Sequence, residues 1–244
     1  MLIKITSCCL CKISFCILFF LTSQIAHAQD QVFKDFFKAV GGRSALENLK
    51  TIQRVGEIEF ANHGQTSPRG KGTYRTDLIY PDKVRVQISV GDYVYDEMKN
   101  EKVYYFLQNG EFQDVQDSNQ RKQLDETGLK ANRELLYWQK EHAEIEALKI
   151  NPTWAVGTSC VKGKKNDKTD LVCFDKKTHL LSAAGSSEEY RLYKDWKKSD
   201  ELKFPMHIIH VKKDLVVYEI KLTSLMINRM ILADSFEKPQ PKKQ

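Results

Sequence analysis

Residues 71–90 read KGTYRTDLIYPDKVRVQISV. Up to the proline, Tyr74, Leu78 and Tyr80 fall on one side of an extended chain, while Lys71, Arg75 and Asp77 fall on the other. Past Pro81-Asp82 the alternation resumes, with Val84, Val86, Ile88 and Val90 opposing Lys83, Arg85 and Gln87. A period of two marks a strand, because successive side chains leave opposite faces of the sheet. Pro-Asp between two such runs marks a turn. The segment therefore predicts two neighbouring antiparallel strands with one apolar and one polar face. A sheet built from such strands must cover the apolar face.

The same period extends on both sides. In Thr51–Phe60, Ile52, Ile58 and Phe60 share a face with Arg54, a charge on an otherwise apolar side; Gln53, Glu57 and Glu59 point the other way. Downstream, Gly91-Asp92, Lys99-Asn100-Glu101 and the hairpin signal Asn109-Gly110 separate further alternating runs. Residues 51–115 thus predict an antiparallel meander of about five or six strands. The period changes to three or four at 31–49, where Val32, Phe33, Phe36, Phe37 and Val40 form one stripe interrupted by Gly41-Gly42. It changes again at 118–149, where Leu124, Ala131, Leu135, Trp138 and Ile145 form the stripe, with Leu136 and Leu148 close by and Gly128 dividing it into two helices. Strand periodicity returns with candidates at 153–162, 169–175, 178–184, 188–197, 202–212 and 215–227, and Asp234–Phe236 adds a short edge. A sheet of this size finds its cover in its own helices. The expected fold is mainly β with helices: one strongly curved antiparallel sheet covered by an N-terminal helix and a helical insertion. No linker divides it, so residues 29–238 form one domain, followed by a disordered tail at 239–244.

The 244 residues carry 41% hydrophobic and 29% charged content, an ordinary globular composition. Lys4 and Lys12 precede a short apolar run, Ile13–Leu21, which ends in Ala26-His27-Ala28. That is a secretory signal peptide with cleavage after Ala28, which gives a periplasmic or secreted chain. Cys8 follows almost no apolar segment, so it does not serve as a lipid attachment site. The net charge is +6. The lysines lie in separate turns (162–168, Lys197-Lys198, Lys212-Lys213) and form no concentrated basic face, so nucleic acid is not an expected partner.

Cys8, Cys9, Cys11 and Cys16 leave with the signal peptide, and Cys160 and Cys173 remain. A hairpin symmetric about the turn at 163–170 sets Cys160 opposite Cys173, which predicts a cross-strand disulfide in an oxidising compartment. Two cysteines with no nearby histidine pair do not make a zinc site. His207 and His210 lie in a strand, where a spacing of three sends their rings to opposite faces. His63, His142 and His179 stand apart. Glu188-Glu189 diverge, and Glu57 and Glu59 share the polar face. No nucleophile elbow, phosphate loop or dinucleotide fingerprint is present. No catalytic residue, metal or cofactor is expected, and a hydrolase is disfavoured because no nucleophile–base pair is visible.

The order of parts resembles a family. An exported chain with an N-terminal helix, a meander, a helical insertion and a second meander is similar to the LolA/LolB-like superfamily of periplasmic lipoprotein carriers. Gly72 to Arg85 looks like that family's early signature, in which a glycine-led strand ends at a proline and an arginine follows on the next strand. Ala39-Val40-Gly41-Gly42 through Ala45-Leu46, then Lys50 and Gly56, is similar to an uncharacterised lipoprotein-sorting-like subgroup. So are Phe174-Asp175 with Thr178-His179-Leu180-Leu181, and Tyr190-Arg191 through Phe204-Pro205 to Asp234-Ser235-Phe236. The resemblance implies an unclosed β-barrel, a Gram-negative periplasm, and acyl chains of lipids or lipoproteins as partners. One departure stands out: the classical soluble carrier has a lid-holding arginine immediately before the strand-ending proline, and here that position is Tyr80. Arg54 is the candidate replacement, as a lid tether or a headgroup contact. The expected ligand-binding set is Arg54, Ile58, Phe60, Tyr74, Leu78, Tyr80, Val86, Ile88, Tyr105, Leu135, Trp138 and Tyr218. Two readings stay open for its aromatic members, a cavity lining and a filled core. A filled core with an exposed apolar patch corresponds to a second function: a non-enzymatic periplasmic regulator or interaction module, with an envelope membrane protein as partner.

Overall fold

A computed structural model describes residues 30–61, 69–108, 111–121, 124, 133–165 and 168–237. The expected signal peptide and cleavage site, His63, Asn109-Gly110, Gly128, Ala131 and the tail at 239–244 lie outside the described residues. The first meander is β1 (Thr51–Phe60), β2 (Gly70–Ile79), β3 (Lys83–Val90), β4 (Tyr93–Asn100), β5 (Val103–Gln108) and β6 (Glu111–Asp114). The second is β7 (Ala143–Ala147), β8 (Thr158–Lys165), β9 (Lys168–Asp175), β10 (Leu181–Gly185), β11 (Glu189–Ser199), β12 (Leu202–Lys212) and β13 (Leu215–Ile227). All pair antiparallel in one sheet, ordered β6-β5-β4-β3-β2-β1-β13-β12-β11-β10-β9-β8-β7. The final strand returns to pair with the first, so β13 joins the two meanders, and the sheet ends at β6 and β7 without closing.

Register explains how one face stays apolar. Ile52, Leu78 and Val84 are partners across β1, β2 and β3, and all three are fully buried. Burying such side chains contributes roughly 1.5–3 kcal/mol each. On β13 a bulge skips Thr223: Gly56 pairs with Leu222 but Val55 pairs with Ser224. The extra residue keeps Tyr218, Ile220 and Leu222 on the same face as Leu225 and Ile227. Thr223 itself turns outward and donates its hydroxyl to the Val55 carbonyl at 3.2 Å.

Helices cover that inner face. α1 spans 30–40, and α2 (Arg43–Glu47) follows the expected break at Gly41-Gly42. Gly41 adopts φ +116°, and a Cβ there would lie 2.1 Å from the Glu201 carbonyl oxygen, so the backbone of the β11–β12 turn approaches it directly. α3 is helical at 118–121 and 124, and α4 is Glu134–Glu141.

Three expectations are corrected. The insertion is not helical to residue 149. α4 ends at Glu141, and residues 143–147 pair with β8 as the edge strand β7. Alanine and glutamate favour helix by propensity, but Ile145 packs on the core and Glu146 reaches Lys162 on β8 at 3.0 Å, and strand pairing overrides. Thr153–Ala155 is a 3-10 turn, so the next strand starts at Thr158. Asp234–Phe236 is no edge strand either. Ala233–Phe236 forms a 3-10 turn that plants Phe236, fully buried, against the outer face of β3 and β4.

The outer face is also less polar than the alternation suggests. Trp154 stacks on Tyr190 at 4.3 Å and covers Leu192, Ile209, Val211 and Val216. Over β3 and β4, Arg85 donates two hydrogen bonds to the Asp96 carboxylate (2.9 and 2.7 Å) and one to the Ser235 carbonyl (2.9 Å), which holds the C-terminal turn in place. The bidentate Asp96 contact raises the Arg85 pKa further above its ordinary range.

Candidate functional site

The inner face gathers most of the residues expected to bind ligand. Ile58, Tyr74, Leu78, Val86, Leu135 and Trp138 are buried in one cluster, and Phe60, Tyr80, Ile88 and Tyr218 pack against it. Tyr105 is the exception. It pairs with Met98, which pairs with Arg85, so it stands on the outer face. Its neighbour Tyr104 takes the inner position, where Lys99 lies 5.0 Å and Arg121 5.6 Å from its ring centre. A one-residue slip exchanges the faces of a strand, and the run Val103-Tyr104-Tyr105-Phe106 gives no polar position to set the phase.

The floor of the concavity is filled from above by α1. Phe33 meets Trp138 and Phe174 with ring centres 5.7 and 5.6 Å apart, and Phe36 meets Phe174 and Trp196 at 5.5 and 6.5 Å. α4 rests on β8 at Gly163, where a Cβ would come within 2.7 Å of the Trp138 ring. Beside α1, a groove of about 460 Å³ opens between Lys177, Leu180, Leu181, Tyr193 and Trp196.

The helices are fastened by an arginine that the sequence reading did not single out. Arg133, at the N-cap of α4, donates to the carbonyls of Leu46 and Glu47 at 2.9 Å each and to that of Leu49. These are carbonyls at the C-terminal end of α2 and just beyond, where a helix leaves acceptors unsatisfied and favours a cation. The same guanidinium lies 3.7 Å from the centre of the Tyr80 ring. Arg43 adds a weaker tie, donating to Gln139 on α4 at 3.4 Å. The guanidinium that ties α4 to α2 thus comes from the start of α4 itself, and the ring of Tyr80, before Pro81, receives it. Burial pushes the Tyr80 phenol up to about 12, against the pull of Arg54 and Arg133, so the ring stays neutral between two cations.

Arg54 is on the inner face, 5% exposed, between register partners Thr76 on β2 and Leu225 on β13. Thr76 is 1% exposed and its hydroxyl has no hydrogen-bond partner. Further along, Glu97 accepts a 2.5 Å hydrogen bond from Gln120, and burial together with Glu97 pushes the Tyr95 phenol up.

Other titratable groups lie in small local pairings. His207 faces outward, 3.0 Å from Glu219 and 3.7 Å from Asp195. His210 faces inward, 3.0 Å from Glu189, with its ring 4.8 Å from Tyr218 and its Nδ1 buried without a partner. The two rings lie on opposite faces, as the strand spacing requires. Burial lowers the His210 pKa, and Arg191 adds to the effect. Glu59 pairs with Lys71 at 3.4 Å on the outer face. Among the described residues, no group of three or more His, Cys, Asp and Glu is arranged to hold a metal. Cys160 and Cys173 are register partners of β8 and β9, with Cα atoms 4.0 Å apart, and form a disulfide in a small outer-face cluster with Ala155 and Ala183.

No family model matches the sequence, and no curated protein matches it either. Solved structures do match in fold. A LolA superfamily protein from Nitrosomonas europaea is 11% identical, with a TM-score of 0.55 over 86% of this chain and 97% of its own. A DUF1329 family protein from Desulfovibrio piger is 10% identical, with a TM-score of 0.57 over 87% and 97%. A domain from Vibrio parahaemolyticus named for outer membrane lipoprotein sorting is 10% identical, with a TM-score of 0.53 over 80% and 92%. At these identities the likeness is one of fold: the open, helix-covered sheet expected from the resemblance is the fold of this chain.

Proposed function

We propose that this protein is exported and works in the cell envelope as a carrier or sensor of acyl chains. Lipids or lipoproteins would lie against the inner face of the open sheet, with α1, α2 and α4 as the lid. The observation that carries the reading is the inner face itself: a continuous apolar surface under short helices fastened mainly through Arg133. The fold likeness to a domain named for lipoprotein sorting supports it. Export is supported by the Lys4, Lys12, apolar run and Ala-His-Ala pattern and by a disulfide, which persists in oxidising compartments. Residues 29–238 would act as one unit.

Loading requires the lid to swing away, because Phe33, Phe36 and Phe37 occupy the inner face. Uncovering a phenylalanine costs roughly 1.5–3 kcal/mol, whereas each buried methylene returns roughly 0.8 kcal/mol. One long acyl chain offsets the exposure of all three rings. The groove beside Trp196 would serve as the entrance.

Native mass spectrometry of the protein purified from periplasm, before and after organic delipidation, tests this. A discrete extra mass that solvent removes and that fragments as lipid supports the carrier and names its cargo. A single bare mass, unchanged by incubation with lipids or lipopeptides, counts against it. That outcome favours an interaction module of the same fold, in which the phenylalanine-filled core is permanent and exposed Ile150, Val156, Met230 and Leu232 serve a protein partner.

A further inference from the structure

Arg54 and Thr76 stand next to each other on adjacent strands in the most apolar part of the inner face. Ile52 and Leu78 flank them on their own strands, and Leu225 and Val86 are their register partners on β13 and β3. Burial strips a guanidinium of water, and the loss is normally offset by a carboxylate or by several acceptors. Arg54 has neither: among the described residues it makes no ion pair and no hydrogen bond, and its recognised electrostatic neighbour is the neutral phenol of Tyr80. Arg133 illustrates the contrast. It is equally cationic, and it spends its donors on three backbone carbonyls. Beside Arg54, the Thr76 hydroxyl is a second buried group with nothing to bond. A cation with no protein partner among the described residues and, on the next strand, a buried hydroxyl with none together offer an anion a charge and a donor.

The shape of the receptor narrows the anion. A guanidinium presents parallel donors that match the two oxygens of a carboxylate. The neighbouring inner-face residues Ile52, Leu78, Val86 and Leu225 are aliphatic, which suits a hydrocarbon chain, with Tyr74 and Tyr80 beside them. We propose that Arg54 and Thr76 receive the carboxylate of a single-chain fatty acid anion, bound head-inward with its chain along the inner face toward Ile58 and Phe60. The assignment rests on the acyl-binding reading above and specifies its ligand class.

The test uses protein produced from its full coding sequence and delipidated, with fluorescent cis-parinaric acid and its methyl ester as probes. Expected is at least tenfold tighter binding of the acid than of the ester. Arg54→Met should bring the acid down to the ester's affinity and leave the ester unchanged. Thr76→Val, which keeps the shape and removes only the hydroxyl, should weaken the acid several-fold and the ester not at all. Should Arg54→Met fail to fold, Thr76→Val decides alone. Equal binding of acid and ester by the unmodified protein overturns the carboxylate receptor while leaving acyl binding intact. Equal weakening of both probes by either variant overturns it in favour of a structural role. Tenfold tighter binding of hexadecyl phosphate than of palmitate, measured by displacement, also overturns it, because the anion is then a phosphate. Failure of both probes to bind overturns this assignment and the carrier reading together.

Discussion

Arg133 joins three parts of the molecule that no local pattern connects: the start of α4, the end of α2 and the Tyr80 ring at the end of β2. A hydrogen bond to a charged group contributes about 1.5–3 kcal/mol. Arg133→Met is expected to loosen α2 by about 2–3 kcal/mol, read as faster amide hydrogen exchange over residues 43–50 with exchange in β12 and β13 unchanged. Arg133→Lys should recover little of this, since a single ammonium cannot reach the same set of carbonyls. His210 makes a second prediction. Burial, with Arg191 and Lys212 nearby, holds its pKa below the ordinary 6.5 despite Glu189. The unfolded chain therefore binds the proton more readily, so stability is full above about pH 6.5 and declines as pH falls toward the folded value. Urea midpoints measured from pH 7.5 to 5 should show this slope, and His210→Gln should flatten it; an unchanged slope would assign it to other groups. These residues also show what a sequence can reveal. Arg54 was legible because a charge interrupts an apolar face. Arg133 was not, because it sits among other charges in a helical stretch and its partners are backbone carbonyls, which carry no sequence signal. Tyr80 was noticed as a departure, but its role depended on Arg133.

At the level of elements, strands with strict alternation were read correctly, β2 and β3 above all. The errors fell where tertiary pairing decides. Residues 143–147 look helical in isolation and become a strand because β8 would otherwise be an open edge. The phase of β5 was lost where four large residues follow one another. The β8–β9 hairpin was legible down to its cross-link, because symmetry about a lysine-rich turn put the cysteines opposite each other. They are thirteen positions apart in the sequence, and closing a loop of that size stabilises by about 3 kcal/mol in the chain-entropy account. Paired Cys160→Ala and Cys173→Ala substitutions are expected to lower the denaturation midpoint by an amount corresponding to about 2–3 kcal/mol. The far-UV circular dichroism of the folded state should be unaltered, since the bridge sits on the outer face, away from the covering helices. A change in folded-state spectrum would show that the hairpin needs its bridge to form.

Across the whole molecule, the two meanders were visible in the sequence but their junction was not, because nothing in the local pattern of β1 or β13 says that they pair. That junction makes the halves interdependent. All three tryptophans, Trp138, Trp154 and Trp196, lie on the β7–β12 side or in the insertion, so their fluorescence reports one half while circular dichroism reports the entire sheet. The two signals are expected to give one coincident unfolding transition. Ile220→Ala, at a buried β13 position facing Ile58, should move both together by about 2–5 kcal/mol. Separate transitions would show that the meanders fold independently. The order of synthesis gives this junction a further meaning. A polypeptide emerges amino end first, so β1 is complete at Phe60 while its outer neighbour, beginning at Leu215, is still to be made. Until then the growing chain presents a bare row of amides and carbonyls that would pair with any passing strand. The same delay keeps the two halves of the sheet from joining until the last strand has been made.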